Sequence, residues 1–522
     1  MRRAAEDRRL ILAVVAFGVF VAADDLLVVS TMLRPMIDDL GLVLPRGIDD
    51  AAWIVNVYLI AYVAVMPLAG RLSDVFGRRA VFVGALAVFL AGSVVVPLAE
   101  SLEVMLAGRA LTAIGGGALV PVGMAVVGDV YREPARARAL GLLAGVGTLG
   151  WVWGPLYGAL LVRFLAWEWQ FWLNVPLALA GIAAAWVVLS PTRRAERRID
   201  WLGAALLTTG LIALNVALLA EARIQSVSGL EELTGDGGGI GGPWLYALAV
   251  AAIAGFVLVE RRARDPLVDV RALAGPGMAP AVLVNAIVGA GLVIAVVDVP
   301  LYVNVVESGI RHSAVVAGAV LTALTAAMAV TSYLGGLATA RVGYRPPTLL
   351  GLALATGALI LMGAVWDADT DRWTMAAHLM VLGAGVGLVL APTTAAVVDA
   401  APPERRGVFA GLVLQFRLMG FSIGLAGLTA WGTHRFNALR ADLVLPPLGD
   451  PTAAAALADA ETRITTSALA ETFLGAGAVM LVAVVVAIVL PWGPAPGRQD
   501  ARSHAASPRR RGLGSASPAG RE

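Results

Sequence analysis

Fourteen apolar runs, each long enough to cross a bilayer, recur along this 522-residue chain, near 10–36, 52–69, 80–99, 104–127, 139–162, 170–190, 201–220, 244–259, 281–306, 313–340, 347–366, 375–398, 408–434 and 466–491. About 20 apolar residues in a helix span the ~30 Å hydrocarbon core of a membrane. Lipid offers the backbone no hydrogen-bonding partner, so runs of this length are expected to be helices. A composition of 59% hydrophobic and 15% charged residues, with a mean hydropathy of +0.80, departs far from that of a soluble globular protein. The first run, Leu10 to Leu33, is too long for a signal-peptide core and lacks a small-residue cleavage site before the next charged loop. It reads as a retained first helix.

Arginine sets the expected orientation. Most of the 39 basic residues fall in alternate connections: the N-terminus, the segment around Arg71 to Arg79, Arg132 to Arg138, Arg193 to Arg198, Arg261 to Arg271, Arg341 and Arg345, Arg405 and Arg406, and the C-terminal tail. The opposite connections are acidic, with Asp38, Asp39, Asp49 and Asp50, then Glu100 and Glu103, Glu231, Glu232 and Asp236, and Asp367, Asp369 and Asp371. The excess of positive charge on one side predicts that both termini are cytoplasmic in a multi-pass protein of the cell membrane. A net charge of +2 gives no case for nucleic acid. With no cysteine, and histidines scattered at 312, 378, 434 and 504, neither a metal site, a cofactor nor a catalytic constellation is indicated. A polytopic enzyme is therefore disfavoured, as is a receptor, since no soluble signalling domain is recognisable. His378 reads as an interfacial residue at a helix end.

The chain repeats itself. Gly115, Gly117, Asp129, Gly141 and Gly150 have counterparts at one constant offset along the chain, at Gly385, Gly387, Asp399, Gly411 and Gly420. Gly70 and Gly77 recur at nearly the same offset, at Gly336 and Gly343. Two aspartates in register with the glycines argue for duplication and so for two six-helix halves. The expected organisation is an N-terminal bundle over 1–190, a linker with two extra membrane helices over 191–273, a C-terminal bundle over 274–493 and a disordered cytoplasmic tail over 494–522. The Gly-rich loop 221–243 is expected to be mobile. The Arg509–Arg511 run is either a solvated tail or a contact with anionic lipid.

Four motifs carry the chemistry. Gly70, Asp74, Gly77 and Arg78 lie in a tight charged turn between the second and third runs, echoed at Gly336 without the carboxylate, where Ala340 stands. Gly150, Gly154, Pro155 and Gly158 put small residues four apart on one helix face beside a proline, an arrangement that permits a close, bent crossing. Arg109 follows Gly108 near the outer end of the fourth run; a charge there either faces a cavity or partner or snorkels to the interface. Asp24 and Asp25 lie in the first run, about 100° apart around the helix.

These motifs resemble those of the major facilitator superfamily. The Gly70 turn is similar to the loop between its second and third helices. The Gly150 segment is similar to its antiporter signature, with Ala159 in place of the last glycine. Arg109 sits in a segment like the family's Arg-x-x-Gln-Gly motif, with Thr112 where glutamine is usual. The first run resembles that of the fourteen-helix drug:proton antiporters, with the proline displaced to Pro35. Short fragments such as Trp53-Ile-Val, Val297-Asp298-Val299 and Ala430-Trp431-Gly432 resemble mycobacterial drug and triacylglycerol exporters that work with a lipid-carrier lipoprotein.

The resemblance implies an all-α polytopic membrane protein of the major facilitator fold, two six-helix bundles plus two linker helices. It also implies a proton-coupled exporter of amphiphilic or apolar compounds, drugs or lipids, with an extracytoplasmic lipid-carrier lipoprotein as a partner. A facilitator or importer of the same fold is the alternative. Asp74, Arg78 and Asp129 are then gating residues, with Asp74 set against the start of the eleventh bundle helix near Gly407. Arg109 and Asp24 line the cavity. Asp25 is the expected proton-coupling group, balanced by Arg417 at a depth within about 7 Å by helix rise, and Asp298 is the competing candidate. The run after Trp431 and the one before Thr465 are expected to lengthen the last two helices beyond the outer face.

Overall fold

The computed structural model describes residues 2–29, 32–41, 46–132, 135–191, 200–227, 242–263, 270–276, 278–306, 310–402, 406–441 and 453–492. The expected mobile loop, apart from its ends, the Arg193–Arg198 connection and the expected disordered tail lie outside these residues. Among them every regular element is helical: α1 (Arg2–Val28), α2 (Leu33–Asp39), α3 (Arg46–Phe76), α4 (Arg78–Val95), α5 (Leu102–Val130), α6 (Ala135–Phe164), α7 (Trp169–Val188), α8 (Trp201–Val227), α9 (Pro243–Arg262), α10 (Val270–Leu273), α11 (Met278–Val306), α12 (Ile310–Val342), α13 (Arg345–Val365), α14 (Arg372–Ala400), α15 (Arg406–Ala441) and α16 (Ala453–Val489). A single 3₁₀ turn, Val96–Leu98, extends α4. Fourteen of these helices have 18 residues or more, and twelve are long and apolar enough over their described residues to cross a membrane.

Helices α1 and α3 to α7 form one bundle, α11 to α16 a second, and α8 and α9 a hairpin that packs on α3 and α15. Apolar side chains cover the outer surface, with Val187 83% exposed and Val489 70% exposed. In water such a surface would drive association; in a bilayer it faces lipid.

One expected boundary is corrected. The first helix does not run to residue 36: α1 stops at Val28 and the chain restarts as α2 at Leu33. Pro35 falls in the first turn of α2, where its missing N–H breaks no helical bond, whereas in a continuous helix its ring would meet the carbonyl four residues back. The last two helices lengthen as the periodic stretches predict. At 36 and 37 residues, they are about 55 Å long against ~30 Å of hydrocarbon.

The duplication is visible in three dimensions. A Cβ on Gly150 would lie 2.9 Å from the backbone nitrogen of Asp24, where α6 crosses α1, and one on Gly420 would lie 1.7 Å from the Ala286 carbonyl, where α15 crosses α11. Gly115 seats α5 on Ala85 of α4, and Gly385 seats α14 on Gly351 of α13. Gly141 of α6 meets Ser332 and Gly336 of the opposite bundle, and Gly411 of α15 meets Met66. Each sequence pair thus occupies equivalent crossings, the first two pairs within their own halves and Gly141 and Gly411 between the halves. The two turn glycines share the left-handed backbone region as well, Gly77 at φ 97° and Gly343 at φ 87°, a conformation that L side chains resist.

Burial is uneven between the two membrane faces. Towards the arginine-rich face, Val126, Val127 and Leu140 of the first bundle share one apolar cluster with Val398, Phe409 and Leu412 of the second. Towards the acidic face, the cluster around Met36, Ile54, Met105 and Phe171 belongs to the first bundle alone among the described residues. The bundles therefore join at the arginine-rich end.

Candidate functional site

Asp25 sits one turn from the end of α1, fully buried, and pairs with the equally buried Arg109 of α5, Nη1 to Oδ2 at 2.8 Å. Arg109 further donates from Nη2 to the Asp25 carbonyl at 3.4 Å and from Nε to the Ile54 carbonyl at 3.4 Å. Its guanidinium lies 4.2 Å from the Tyr58 ring centre, a cation–π arrangement that gains from desolvation, and Tyr58 Oη donates to the Ala22 carbonyl at 3.2 Å. Of the two possibilities for Arg109, snorkelling fails and burial against a partner holds. The partner of Asp25 is likewise corrected: it is Arg109, not Arg417. Depth along a helix does not fix which way a side chain points, and α5 packs directly on α1.

Asp24 turns to α7, where Gln170 Nε2 donates to Oδ2 at 3.0 Å, and both residues are buried. The signature glycines hold this stretch of α1. A Cβ on Gly154 would stand 2.7 Å from the Asp24 carbonyl oxygen and 3.1 Å from the Val28 nitrogen. Gly150 and Gly154 therefore bring α6 against the backbone that carries both carboxylates.

A central cavity opens beside this cluster, lined by Val19, Ala23, Tyr62, Met124, Leu292, Met328, Leu414 and Arg417, among others, from helices of both bundles. Its walls are largely apolar, and among the described residues lining it Arg417 is the charged one. In the second bundle Asp298 is buried and accepts from Thr472 Oγ1 at 2.6 Å. Asp25, Asp298 and Arg417 are thus separate features: an ion pair, a carboxyl bonded to a hydroxyl and a cavity cation. His378 stacks on Trp366 and accepts from its Nε1 at 3.0 Å.

At the arginine-rich face the Gly70 turn is held by its own polar groups. Ser73 Oγ donates to the Gly70 carbonyl at 2.7 Å, and Arg78 donates to Ser73 Oγ at 2.7 Å, to Asp74 and, through Nε, to Asp129 Oδ2 at 3.0 Å. Asp74, with its side chain 2% exposed, is bound within this turn. The carboxylate that reaches the first turn of α15 is Asp129, 3.6 Å from Arg406 Nη1, and Arg406 also donates to the Gly128 carbonyl at 3.2 Å. Among the described contacts, Asp129 and Arg406 are the ones that join this group to α15.

The mirror arrangement was missed from the sequence. Asp399 of α14 pairs with Arg136 of α6 and accepts from Tyr344 Oη at 2.8 Å. Arg136 and Arg406 stand at the same repeat offset as Asp129 and Asp399, so each bundle supplies one carboxylate and one arginine to the other. That offset, applied to the arginines as well as the glycines, would have found it. Gln170 left no comparable signal.

The Major Facilitator Superfamily model matches residues 15–425 and 282–515. A triacylglyceride transporter of Mycolicibacterium hassiacum is 32% identical over 437 residues, covering 80% of this chain and 78% of that protein. One of Mycobacterium tuberculosis is 31% identical over 463 residues, 84% of this chain and 86% of the relative. A multidrug transporter of Bacillus subtilis is 27% identical over 444 residues, 84% and 78% of the two chains. Among solved structures, the proton:xylose symporter XylE superposes with a TM-score of 0.59 at 12% identity, over 92% of this chain and 95% of that one. The human organic anion transporter MFSD10 gives 0.58 at 16% identity, over 92% and 99%. Two bundles joined at one face around a shared cavity, with the family's turn and glycine motifs at their crossings, agree with these likenesses: the chain belongs to the major facilitator superfamily and is a membrane transporter, not an enzyme.

Proposed function

We propose that the protein is a proton-coupled exporter of amphiphilic or apolar compounds, drugs or lipids, working by alternating access between its two bundles. The observation that carries this reading is an apolar cavity walled by both bundles, next to a buried cluster of two carboxylates and one arginine. An apolar lining suits a cargo recognised by shape and desolvation, and a buried carboxylate is the group whose charge a proton cancels most effectively. The relatives' names supply the cargo classes, triacylglycerides and multiple drugs. A triacylglycerol has negligible solubility in water, so an extracytoplasmic lipid-carrier lipoprotein is the partner that such a cargo calls for.

In this reading residues 1–190 and 274–493 are the moving bundles and 191–273 the linker, with both termini on the cytoplasmic side of the cell membrane. Asp74, Arg78 and Asp129 control the cytoplasmic gate together with Arg136, Asp399 and Arg406. The carboxylates of α1 and Asp298 are the proton-coupling candidates, and Arg417 contacts cargo.

Proteoliposomes loaded with ethidium or with a fluorescent triacylglycerol, and given a pH gradient, test the reading. Gradient-driven movement of either cargo, with measurable counterflow of protons, supports it. Movement only down the cargo's own gradient would make the chain a facilitator, and accumulation in the direction of proton entry an importer.

A further inference from the structure

The two neighbouring carboxylates of α1 have partners of different chemical kinds. Arginine has five donors and no acceptor, so a carboxyl gripped by it must remain an acceptor. Asp25, with Arg109 Nη1 at 2.8 Å and both side chains 0% exposed, is in that position. Protonating it would strand a guanidinium in the bundle interior without its counter-charge. Glutamine carries a donor and an acceptor on one amide, and rotation about its last bond exchanges them. Gln170 donates to an ionised Asp24 at 3.0 Å. With the amide turned, its oxygen accepts the O–H of a protonated Asp24.

Two further observations point to the same group. Asp24 Oδ1, Asp25 Oδ1 and Gln170 Oε1 are all buried without a hydrogen-bond partner, although such atoms are rarely left so, and of the two carboxyls Asp24 is the one whose described partner is neutral. The charges also fail to balance: among the described residues, two carboxylates share this interior with one guanidinium. Asp25 lies on the same helix as Asp24, Arg109 comes from α5, Tyr58 from α3 and Tyr157 from α6. From α7 come the neutral Gln170 and Asn174, with Glu168 at its N-cap. One proton would neutralise the surplus negative charge.

We infer that Asp24 is the exchangeable proton site of the first bundle, that Asp25 stays ionised against Arg109, and that Gln170 is a positioning residue that fits Asp24 in both protonation states. The inference rests on the proton-coupled reading for its role in transport, but the protonation itself can be measured without cargo. It moves the role expected for Asp25 one residue along the helix. The step is a proton transfer alone: a carboxylate oxygen of Asp24 takes a proton from water and returns it to water.

Infrared difference spectroscopy of the full chain in lipid nanodiscs, titrated with pH, reads the C=O stretch of protonated carboxyls. The expected result is a titrating component that disappears in Asp24→Asn. It persists in the double variant Asp25→Asn/Arg109→Gln, which replaces the ion pair by neutral groups and keeps the net charge. Gln170→Leu removes the partner of both forms, but the hydrogen bond to the ionised carboxylate is the stronger of the two, so the midpoint should move to higher pH. A component that survives Asp24→Asn and vanishes in the double variant overturns the inference. So does a Gln170→Leu midpoint identical to that of the wild type, which decides the matter even if the double variant fails to fold. In ethidium-loaded proteoliposomes, Asp24→Asn should lose gradient-driven movement and keep cargo exchange. A wild type that shows the Asp24 component yet ignores the pH gradient sinks the coupling reading and leaves the protonation assignment standing.

Discussion

The two bundles share a skeleton and differ in chemistry. Glycines related by the repeat offset seat the same helix crossings in both halves, yet Asp25 of the first bundle meets an arginine while Asp298 of the second meets a threonine hydroxyl. Duplication thus preserved the positions where a side chain would not fit and let the positions facing the interior diverge. Backbone contact tolerates little change, since a methyl group placed 1.7 to 2.9 Å from another helix forces the helices apart. Interior polar groups have only to find some partner, and there are many ways to do that.

The largest difference between the halves should appear on removing one partner from each buried pair. Arg109→Ala leaves Asp25 charged and unpaired, and breaking a buried ion pair in this way costs about 3–5 kcal/mol. Thr472→Val takes one hydroxyl hydrogen bond from Asp298 and should cost about 1–2 kcal/mol. Thermal unfolding of the purified variants, followed by size-exclusion chromatography, measures both. Equal losses would mean that the two carboxylates play the same part in stability and that the contrast is false.

The shared skeleton is tested next, by alanine at paired glycines. Gly420→Ala meets the Ala286 carbonyl at 1.7 Å, and Gly150→Ala meets the Ala23 side chain at 2.7 Å and the Asp24 nitrogen at 2.9 Å. Both should destabilise, Gly420→Ala by more, within a range of about 1–3 kcal/mol. A neutral Gly420→Ala, read as an unchanged melting temperature, would show that this crossing is loose and that the repeat has no packing basis.

The cross-bundle ion pairs give a smaller contrast. Asp399 has its side chain 5% exposed and is held by Arg136 and Tyr344, whereas Asp129 is 34% exposed and lies 3.6 Å from Arg406. Exposed pairs contribute about 0–1 kcal/mol. Asp399→Asn should therefore raise labelling of a cysteine introduced at Leu140 more than Asp129→Asn does. The reverse order would make Asp129 the tighter of the two.

The smallest effect lies at two N-caps that also stand at the repeat offset, Ser101 and Asp371. Ser101 caps α5 at 3.5 Å from the Val104 nitrogen, and Asp371 caps α14, accepting from the Trp373 and Thr374 nitrogens at 2.9 and 3.3 Å. The Thr374 hydroxyl and these backbone donors hold the Asp371 carboxyl below its ordinary range. A depressed value means that the cap is fully present at neutral pH and is lost as pH falls through it, whereas a serine hydroxyl does not titrate there. Hydrogen exchange at the start of α14 should quicken in acid through loss of this cap, and in Asp371→Asn that extra acid sensitivity should vanish. Retention of the full acid response by the variant would assign it to another group.

What the sequence made legible follows the same division. The turn at Gly77, the glycine crossings and the number of long helices are readable because each leaves a local or periodic mark. Helix rise places Asp25 and Arg417 at similar depths, but neighbouring helices are chosen by azimuth, and nothing in one chain's periodicity says which face of α5 meets α1. Arg136 reads as one loop charge among several because it lies in an arginine-rich connection. Gln170 sits at the edge of an apolar run, where a polar residue is ordinary. Its role depends on Asp24, 146 residues away.

The reciprocal placement of the two cross-bundle pairs has a mechanical consequence. A single clasp between two rigid bodies is a pivot, about which they remain free to twist. Two clasps on either side of a pseudo-dyad remove that twist and leave rocking as the soft degree of freedom. If the bundles rock as proposed, the looser clasp, between Asp129 and Arg406, is the side from which they would begin to part, and an approximately symmetric molecule would open with a preferred sense.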